Sequence, residues 1–116
     1  MYHYKATVRR VIDGDTVDMN MDLGFGVSKL VRIRLWGIDA PEIKGDERPE
    51  GLAAKAFLED LLPVGTPTEV YTRKDREAGW GRYVGEVYVV DPEDEFDLSI
   101  SDEMVEAGHA RYKTYD

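Results

Sequence analysis

The first third of the chain alternates apolar and polar residues with a period of two, and this pattern limits the folds that it can adopt. Val31, Ile33 and Leu35 fall on one side of an extended chain, and the residues between them fall on the other. Successive side chains of a strand point to opposite faces of a sheet. We therefore predict a strand at residues 29–36 with one buried face.

Two more strands are predicted before this one. Residues 4–12 mix β-branched and aromatic residues with polar ones, and a second strand is expected at residues 16–21. Asp13-Gly14 between them is a frequent hairpin turn. The Gly-Phe-Gly sequence at residues 24–26 then breaks the chain. Three strands are thus expected before any helix.

One amphipathic helix is expected in the middle of the chain. Pro49 suits the first turn of a helix because it loses no hydrogen bond there, and Pro63 limits the helix at its other end. Apolar residues between the two prolines recur at helical spacing. The polar residues 42–48 that precede the helix are predicted to form a mobile surface loop.

The rest of the chain predicts strands at residues 68–73 and 82–90 and a second helix at residues 98–108, with Ser99 or Ser101 as its cap. The resulting order, β-β-β-α-β-β-α, is that of an OB-fold barrel, which commonly binds nucleic acids or oligosaccharides. We expect a single domain, residues 1–116, that is mainly β with helices (α+β) and contains a five-stranded OB-fold barrel.

Composition excludes several kinds of site. The chain has no cysteine, which rules out disulfides, thiolate metal sites and cysteine nucleophiles. No apolar run approaches the roughly 18–20 residues that cross a bilayer, so no membrane partner is expected. The first residues do not resemble a signal peptide, so we expect a cytoplasmic protein, or a secreted one whose signal was removed.

The net charge of −9 opposes a polyanionic partner unless basic residues are concentrated on one surface. Residues 1–82 carry 13 basic and 14 acidic side chains, whereas residues 83–116 carry 2 and 10. The acidic excess therefore belongs to the last third of the chain. A nucleic-acid partner is not excluded, but we expect weak binding with a shallow dependence on salt.

Three short segments carry side chains suited to the chemistry of phosphate esters. Asp15 follows the first hairpin turn, Asp39 and Glu42 lie within four residues at a predicted strand end, and Arg82 begins a strand after a glycine. Taken singly, they have ordinary explanations: a hairpin turn, loop carboxylates and a structural arginine.

Together these residues form a set that can hydrolyse a phosphodiester. Carboxylate oxygens bind hard cations, and the planar guanidinium groups of Arg34 and Arg82 match phosphate oxygens. A cation and two arginines neutralise charge in the transition state, while a carboxylate aligns or deprotonates water. His3 and His109 lie at opposite ends of the chain without evident partners. We expect both at the surface, so no Ser-His-Asp arrangement competes.

The segments 12–17, 34–42 and 81–82 resemble the three motifs of the staphylococcal (micrococcal) nuclease family, also called thermonucleases. They occur in the family's order and at similar spacing. The predicted element order is also similar, so the resemblance covers nearly the whole chain.

This resemblance implies a Ca²⁺ site and a catalytic carboxylate. The carboxylates of Asp15 and Asp39 would bind the metal, and Ala40, where the family commonly has threonine, would contribute its backbone carbonyl. Glu42 matches the residue that contacts the metal through water and acts as the general base or orients the attacking water.

The resemblance also implies how the substrate is held. Arg34 and Arg82 match the two arginines that bind the scissile phosphate and its transition state. Gly79-Trp80 replaces a Lys-Tyr pair of the best-known member. Trp80 would therefore have another role and would either stack on a base or pack within its turn. Tyr112 and Tyr115 lie near base-stacking tyrosines of the family, though in a different register.

We therefore expect a calcium-dependent nuclease that acts as a monomer on DNA, RNA or both, with low sequence specificity. An alternative of a different class is a non-catalytic OB-fold module that binds nucleic acid or protein. A third, a structural calcium site in a protein that is not a nuclease, leaves Arg34 and Arg82 without a function.

Overall fold

The computed structural model describes residues 2–73, 82–90 and 97–114, with residue 82 described by its backbone alone. The helices in this part of the chain are α1 (Arg48–Leu61) and α2 (Ile100–Glu106), and a 3₁₀ turn covers Gly45–Glu47. The strands are β1 (Tyr2–Asp13), β2 (Thr16–Gly24), β3 (Val27–Leu35), β4 (Ile38–Asp39), β5 (Pro67–Arg73), β6 (Arg82–Val89), β7 (Leu98–Ser99) and β8 (Arg111–Tyr112).

Five of these strands form a closed barrel. Antiparallel pairing joins them in the order β3-β2-β1-β5-β6, and a parallel pairing between β3 and β6 closes the barrel. Helix α1 follows the third barrel strand and α2 follows the fifth. The predicted fold class, mainly β with helices and a five-stranded OB-fold barrel, is confirmed.

The predicted break at residues 24–26 is a tight hairpin turn. Gly24, Phe25 and Gly26 have φ angles of 83°, 56° and 74°, a run of positive values that reverses the chain within three residues. Strands β2 and β3 therefore extend to the turn itself, beyond their predicted ends.

The second helix is shorter than predicted. Leu98 and Ser99 pair with β6 as a short strand, and the helix begins at Ile100. Ser99, one of the two predicted caps, accepts a hydrogen bond from the backbone N–H of Asp102 at 3.4 Å. Within the described residues, neither helix is both long and apolar enough to cross a bilayer.

The predicted loop at residues 42–48 is shorter than expected. Most of its residues are exposed, as predicted, but Gly45–Glu47 form the 3₁₀ turn and Arg48 already belongs to α1. Pro49 lies in the first turn of the helix, where its missing N–H is tolerated.

The core fills the barrel and extends to one face of each helix. The alternation in β3 is confirmed, because Ile33 and Leu35 are fully buried and Arg32 is exposed. Residues of both helices join the same core. Its fully buried members include Val17, Met19, Ile33, Leu35, Ile38, Ala54, Leu58, Val70, Ile100 and Met104.

His3 is exposed, as expected, and His109 is partly buried, but both histidines have partners that the sequence did not show. Pairing of β1 with β5 stacks the His3 ring on Tyr71, with centroids 4.4 Å apart, and its Nε2 lies 3.3 Å from Oε1 of Glu69. His109 follows α2 and its ring lies 4.8 Å from that of Phe57 in α1. These contacts arise from strand and helix pairing between segments that are distant in sequence.

Asp18, on the outer side of β2, is the buried charged residue of the described chain, with 7% of its surface exposed. It accepts hydrogen bonds from Arg32 Nε at 2.8 Å and Nη2 at 3.2 Å, and from Arg10 Nη2 at 3.4 Å. The hydrogen bonds from Arg32 lower the pKa of Asp18, against the effect of burial.

We expect Asp18→Asn to lower the free energy of unfolding at pH 7 by about 1–3 kcal/mol, because two arginines lose their shared carboxylate. A carboxyl whose pKa is lower when folded stabilises the fold above its unfolded pKa, near 4, and loses that contribution in acid. The variant should therefore lose less stability than the wild type between about pH 5 and pH 2, as measured by urea unfolding.

The matched control is Asp60→Asn, an exposed aspartate of α1. It should change neither the stability at pH 7 nor the acid dependence by more than about 0.5 kcal/mol. Equal acid dependence in Asp18→Asn and the wild type would contradict the role given to this carboxylate.

Candidate active site

The turn between β1 and β2 holds Asp15 against the end of β3. Thr16 pairs with Arg34 in the β2–β3 register, and the backbone carbonyl of Asp15 accepts a hydrogen bond from Leu35 N–H at 2.8 Å. The Asp15 N–H in turn donates to Oδ1 of Asp13 at 3.0 Å. The first two predicted motifs therefore meet at one end of the barrel.

Arg34 bridges the two predicted metal-binding carboxylates. Its Nη1 lies 3.2 Å from Oδ2 of Asp15, and its Nη2 donates to Oδ1 of Asp39. The same Nη2 donates to the carbonyl of Ile38 at 3.3 Å, and the Ala40 N–H donates to Oδ2 of Asp15 at 3.0 Å. Four of the predicted site residues, Asp15, Arg34, Asp39 and Ala40, thus form one network.

The Asp15 carboxyl is in an unusual environment for an acid. Its side chain is only 14% exposed, and its pKa is raised to about 6, chiefly by burial. A hydrogen bond with Asp13 contributes to this rise, whereas the Ala40 N–H and the Arg34 guanidinium oppose it. The ionised form therefore depends on nearby positive charge.

The donor set suits a hard cation. Carboxylate and backbone carbonyl oxygens are the ligands that Ca²⁺ takes in proteins, and Asp15, Asp39 and Ala40 offer both kinds. No three acidic or histidine side chains converge as a preformed metal cluster within the described ranges. The two aspartates share Arg34 as their counter-charge instead.

Glu42 lies outside this network. Its side chain is exposed, and no described residue hydrogen-bonds to its carboxylate. Its backbone is held instead: the Glu42 N–H donates to Oε2 of Glu47 at 2.9 Å, and Nη1 of Arg48 donates to the carbonyl of Ile43 at 2.9 Å. The main chain of Glu42 is therefore fixed by hydrogen bonds, whereas its carboxylate makes none with the described residues.

Gly51 allows this segment to lie directly on α1. A Cβ at position 51 would overlap the Glu42 carbonyl and would lie 2.8 Å from Ile43 N, closer than real Cβ atoms come to other atoms. The sequence did not indicate this contact. The available signal was a glycine inside a helix, where it costs about 1 kcal/mol relative to alanine and needs a packing reason.

The Asp15 turn approaches the same helix through small residues. A Cβ at Gly14 would lie 2.8 Å from the Cβ atoms of both Ala40 and Ala54. Ala54 is one turn beyond Gly51, so the Asp15 turn and the Glu42 segment pack on the same face of α1.

Arg82 begins β6, and the parallel β3–β6 pairing puts its backbone opposite Arg32, two residues from Arg34. The third predicted motif thus reaches the strand that carries Arg34. The side chain of Arg82 and residues 80 and 115, the predicted Trp80 and Tyr115, lie outside what the structure describes.

Tyr112 is brought beside the site by a short strand pair that the sequence did not predict. Strand β8 pairs with β4, which places Tyr112 opposite Ile38 and Arg111 opposite Asp39. The Tyr112 hydroxyl donates to Asp102 at 2.9 Å, and this hydrogen bond raises its pKa. Arg111 is thereby a further cation beside Asp39, which the sequence did not indicate because its position depends on the β4–β8 pairing.

Comparison with known proteins identifies relatives that are named as nucleases. The family described as staphylococcal nuclease homologue matches residues 32–116. An uncharacterized endonuclease of Escherichia coli O157:H7 is 39% identical over 103 residues, which cover 89% of this chain and 57% of that protein. A probable staphylococcal-like nuclease of Oryza sativa subsp. japonica, CAN2, is 35% identical over 91 residues, which cover 78% of this chain and 22% of that protein.

The chain spans a little over half the length of the E. coli relative. The family match covers most of the chain and includes residues 34–42 and 81–82, which carry two of the three motifs. The chain belongs to the staphylococcal nuclease family.

Proposed function

We propose that this chain is a Ca²⁺-dependent phosphodiesterase that cleaves DNA, and RNA as well, with low sequence specificity and as a monomer. The observation that carries the proposal is the network in which Arg34 holds both Asp15 and Asp39 at one end of the barrel. Family membership and relatives named as nucleases support it.

Asp15 and Asp39 would hold the calcium ion, together with the backbone carbonyl of Ala40. Bound Ca²⁺ would neutralise phosphate charge and make the attacking water more acidic. Asp39 is the more accessible ligand, with 43% of its side chain exposed against 14% for Asp15. This difference suits a site that is anchored by one carboxylate and open to substrate beside the other.

Arg34 and Arg82 would bind the scissile phosphate. The guanidinium of Arg34 lies against Asp15 and Asp39, the proposed metal ligands, so a phosphate bound to Arg34 would lie close to a cation held by these carboxylates. Arg82 begins the strand paired with that of Arg34. Two planar forks match the charge that spreads over the phosphate oxygens in the transition state.

Glu42 would act on the attacking water, as general base or by orienting it. Its carboxylate is exposed to solvent. Its main chain is held by a hydrogen bond to Glu47 and packs directly on the backbone of α1 at Gly51, which has no side chain. A backbone held from two sides limits where the carboxylate can reach, which is what positioning a water requires.

Calcium dependence is the first test. Millimolar Ca²⁺ should support hydrolysis of single-stranded and double-stranded DNA and RNA, and a chelator should abolish it. Because the metal binds the folded form, saturation at 100 times Kd should stabilise the protein by about 2.7 kcal/mol, seen as a higher Tm.

Asp15→Asn should lose the Ca²⁺-dependent rise in Tm, whereas the exposed Asp60→Asn should keep it. An unchanged Tm with no hydrolysis of any substrate would favour the non-catalytic binding module. A raised Tm with no hydrolysis would favour a structural calcium site.

The catalytic roles predict losses in kcat. Glu42→Gln keeps size but removes the base, and Arg34→Lys removes the planar fork, so each should lower kcat by about 10²–10³-fold. Glu59→Gln, an exposed change on α1, is the control and should leave kcat within about 2-fold. Wild-type kcat in Glu42→Gln would refute the role of this carboxylate.

The seat of Glu42 on α1 predicts an effect of Gly51→Ala. The added methyl must displace the Glu42–Ile43 main chain, so kcat should fall about 10–100-fold with little change in Ca²⁺ affinity. Ala56→Gly, exposed on the same helix, weakens the helix by about 1 kcal/mol without touching the loop. If Ala56→Gly lowers kcat as much, helix stability and not loop position would account for the effect.

A further inference from the structure

A row of charged residues crosses the outer face of the barrel next to the candidate active site. In the strand registers, Arg10 of β1 lies opposite Asp18 of β2, Asp18 lies opposite Arg32 of β3, and Arg32 lies opposite Arg82 of β6. Four neighbouring strands therefore carry three arginines and one aspartate at one level of the sheet.

The aspartate lies beneath the two arginines that it binds. Its side chain is 9% exposed, whereas those of Arg32 and Arg10 are 43% and 66% exposed. Asp18 engages two nitrogens of Arg32 and one of Arg10. A guanidinium has five N–H donors, so each arginine keeps further donors on the solvent side.

Stability alone does not explain this row. The Asp18 carboxylate offsets only one of the two guanidinium charges, so the three side chains together carry a charge of +1 in a chain of net charge −9. The backbone of Arg82 lies opposite that of Arg32, which adds a third arginine to this level of the sheet. An exposed positive surface of this kind is suited to a polyanion.

The row begins at the candidate active site and leads away from it. Arg34 and Arg32 are two residues apart in β3, about 7 Å along the strand, a spacing similar to that of successive phosphates in a nucleic-acid strand. Arg10 is two strands further on, at about 5 Å per strand.

We propose that Arg10 and Arg32 form a second phosphate-binding site, which takes phosphodiester groups of a polynucleotide beyond the one that is cut. Asp18 holds both guanidinium groups in place and leaves their outer donors to the ligand. This inference rests on the proposed function, because it assigns the direction in which the substrate leaves the active site.

The test compares two substrates that differ in their number of phosphates. A nucleoside p-nitrophenyl phosphodiester has one phosphodiester group, and a 12-nucleotide single-stranded DNA has several. Arg10→Gln and Arg32→Gln should each raise KM for the oligonucleotide about 3–10-fold and affect the small substrate much less. Arg10→Gln leaves the Arg32–Asp18 pair intact, so it gives a result even if Arg32→Gln destabilises the fold.

Binding in a chelator separates this inference from the proposed function. Fluorescence anisotropy of the labelled oligonucleotide over a salt series should give a slope of log K against log salt that is shallower by about 0.7 in each variant. Lys5→Gln is the control, because Lys5 is an exposed residue of β1 that lies opposite Glu69 of β5, away from the arginine row. This variant should keep the wild-type slope.

A wild-type slope in both arginine variants, or an equal loss in Lys5→Gln, would overturn the second phosphate site. So would an equal rise in KM for the small substrate and the oligonucleotide. If the wild type cleaves neither substrate, the proposed function fails, and the salt series still decides whether Arg10 and Arg32 bind phosphate.

Discussion

The parallel pairing of β3 with β6 is the interaction on which the rest of the structure depends. It closes the barrel, and the Trp36 N–H extends it by donating to the Gly85 carbonyl at 2.9 Å. Without it, β6 would pair only with β5 and β7, and Arg82 would lie on a strand remote from Arg34. Barrel closure and the approach of Arg82 to the strand of Arg34 therefore require the same strand pairing.

Helix α1 supplies a second constraint, which concerns distance. The β1–β2 turn carries a candidate metal ligand and the loop after β4 carries the candidate catalytic carboxylate, and both contact the same face of this helix. Gly14 and Gly51 remove the side chains that would hold these segments away from it. The cost to helix propensity at Gly51 is accepted where a methyl group would occupy the position of the Glu42 carbonyl.

The sequence predicted those parts of the molecule that have a local signal. Alternation in β3, the Asp13-Gly14 hairpin and the helix after Pro49 each follow from residues within one segment, and each is confirmed. The β4–β8 pair could not be predicted, because two-residue strands have no periodicity to detect. The partners of His3 likewise follow from the β1–β5 register.

The candidate site also has parts with a local sequence signal and parts that depend on long-range pairing. The motifs indicated Asp15, Arg34 and Asp39, and the structure brings these three together. The sequence did not indicate that Arg34 forms ion pairs with both aspartates, since that requires β2, β3 and β4 to be placed relative to one another. Nor did it indicate the Glu47 contact with the Glu42 main chain, because an exposed glutamate has no pattern of its own.

The placement of charge makes the acidic chain compatible with the polyanionic substrate of the proposed function. In and beside the candidate site, Arg34 pairs with two aspartates and Asp18 pairs with two arginines, so three positive charges face three negative ones. The acidic excess lies in residues 83–116. In the proposed mechanism a divalent cation shifts the balance around Asp15 and Asp39 toward positive charge, so phosphate binding near Arg34 would be favoured mainly in the metal-loaded protein. The overall negative charge would then oppose tight retention of the product, which is also a polyanion.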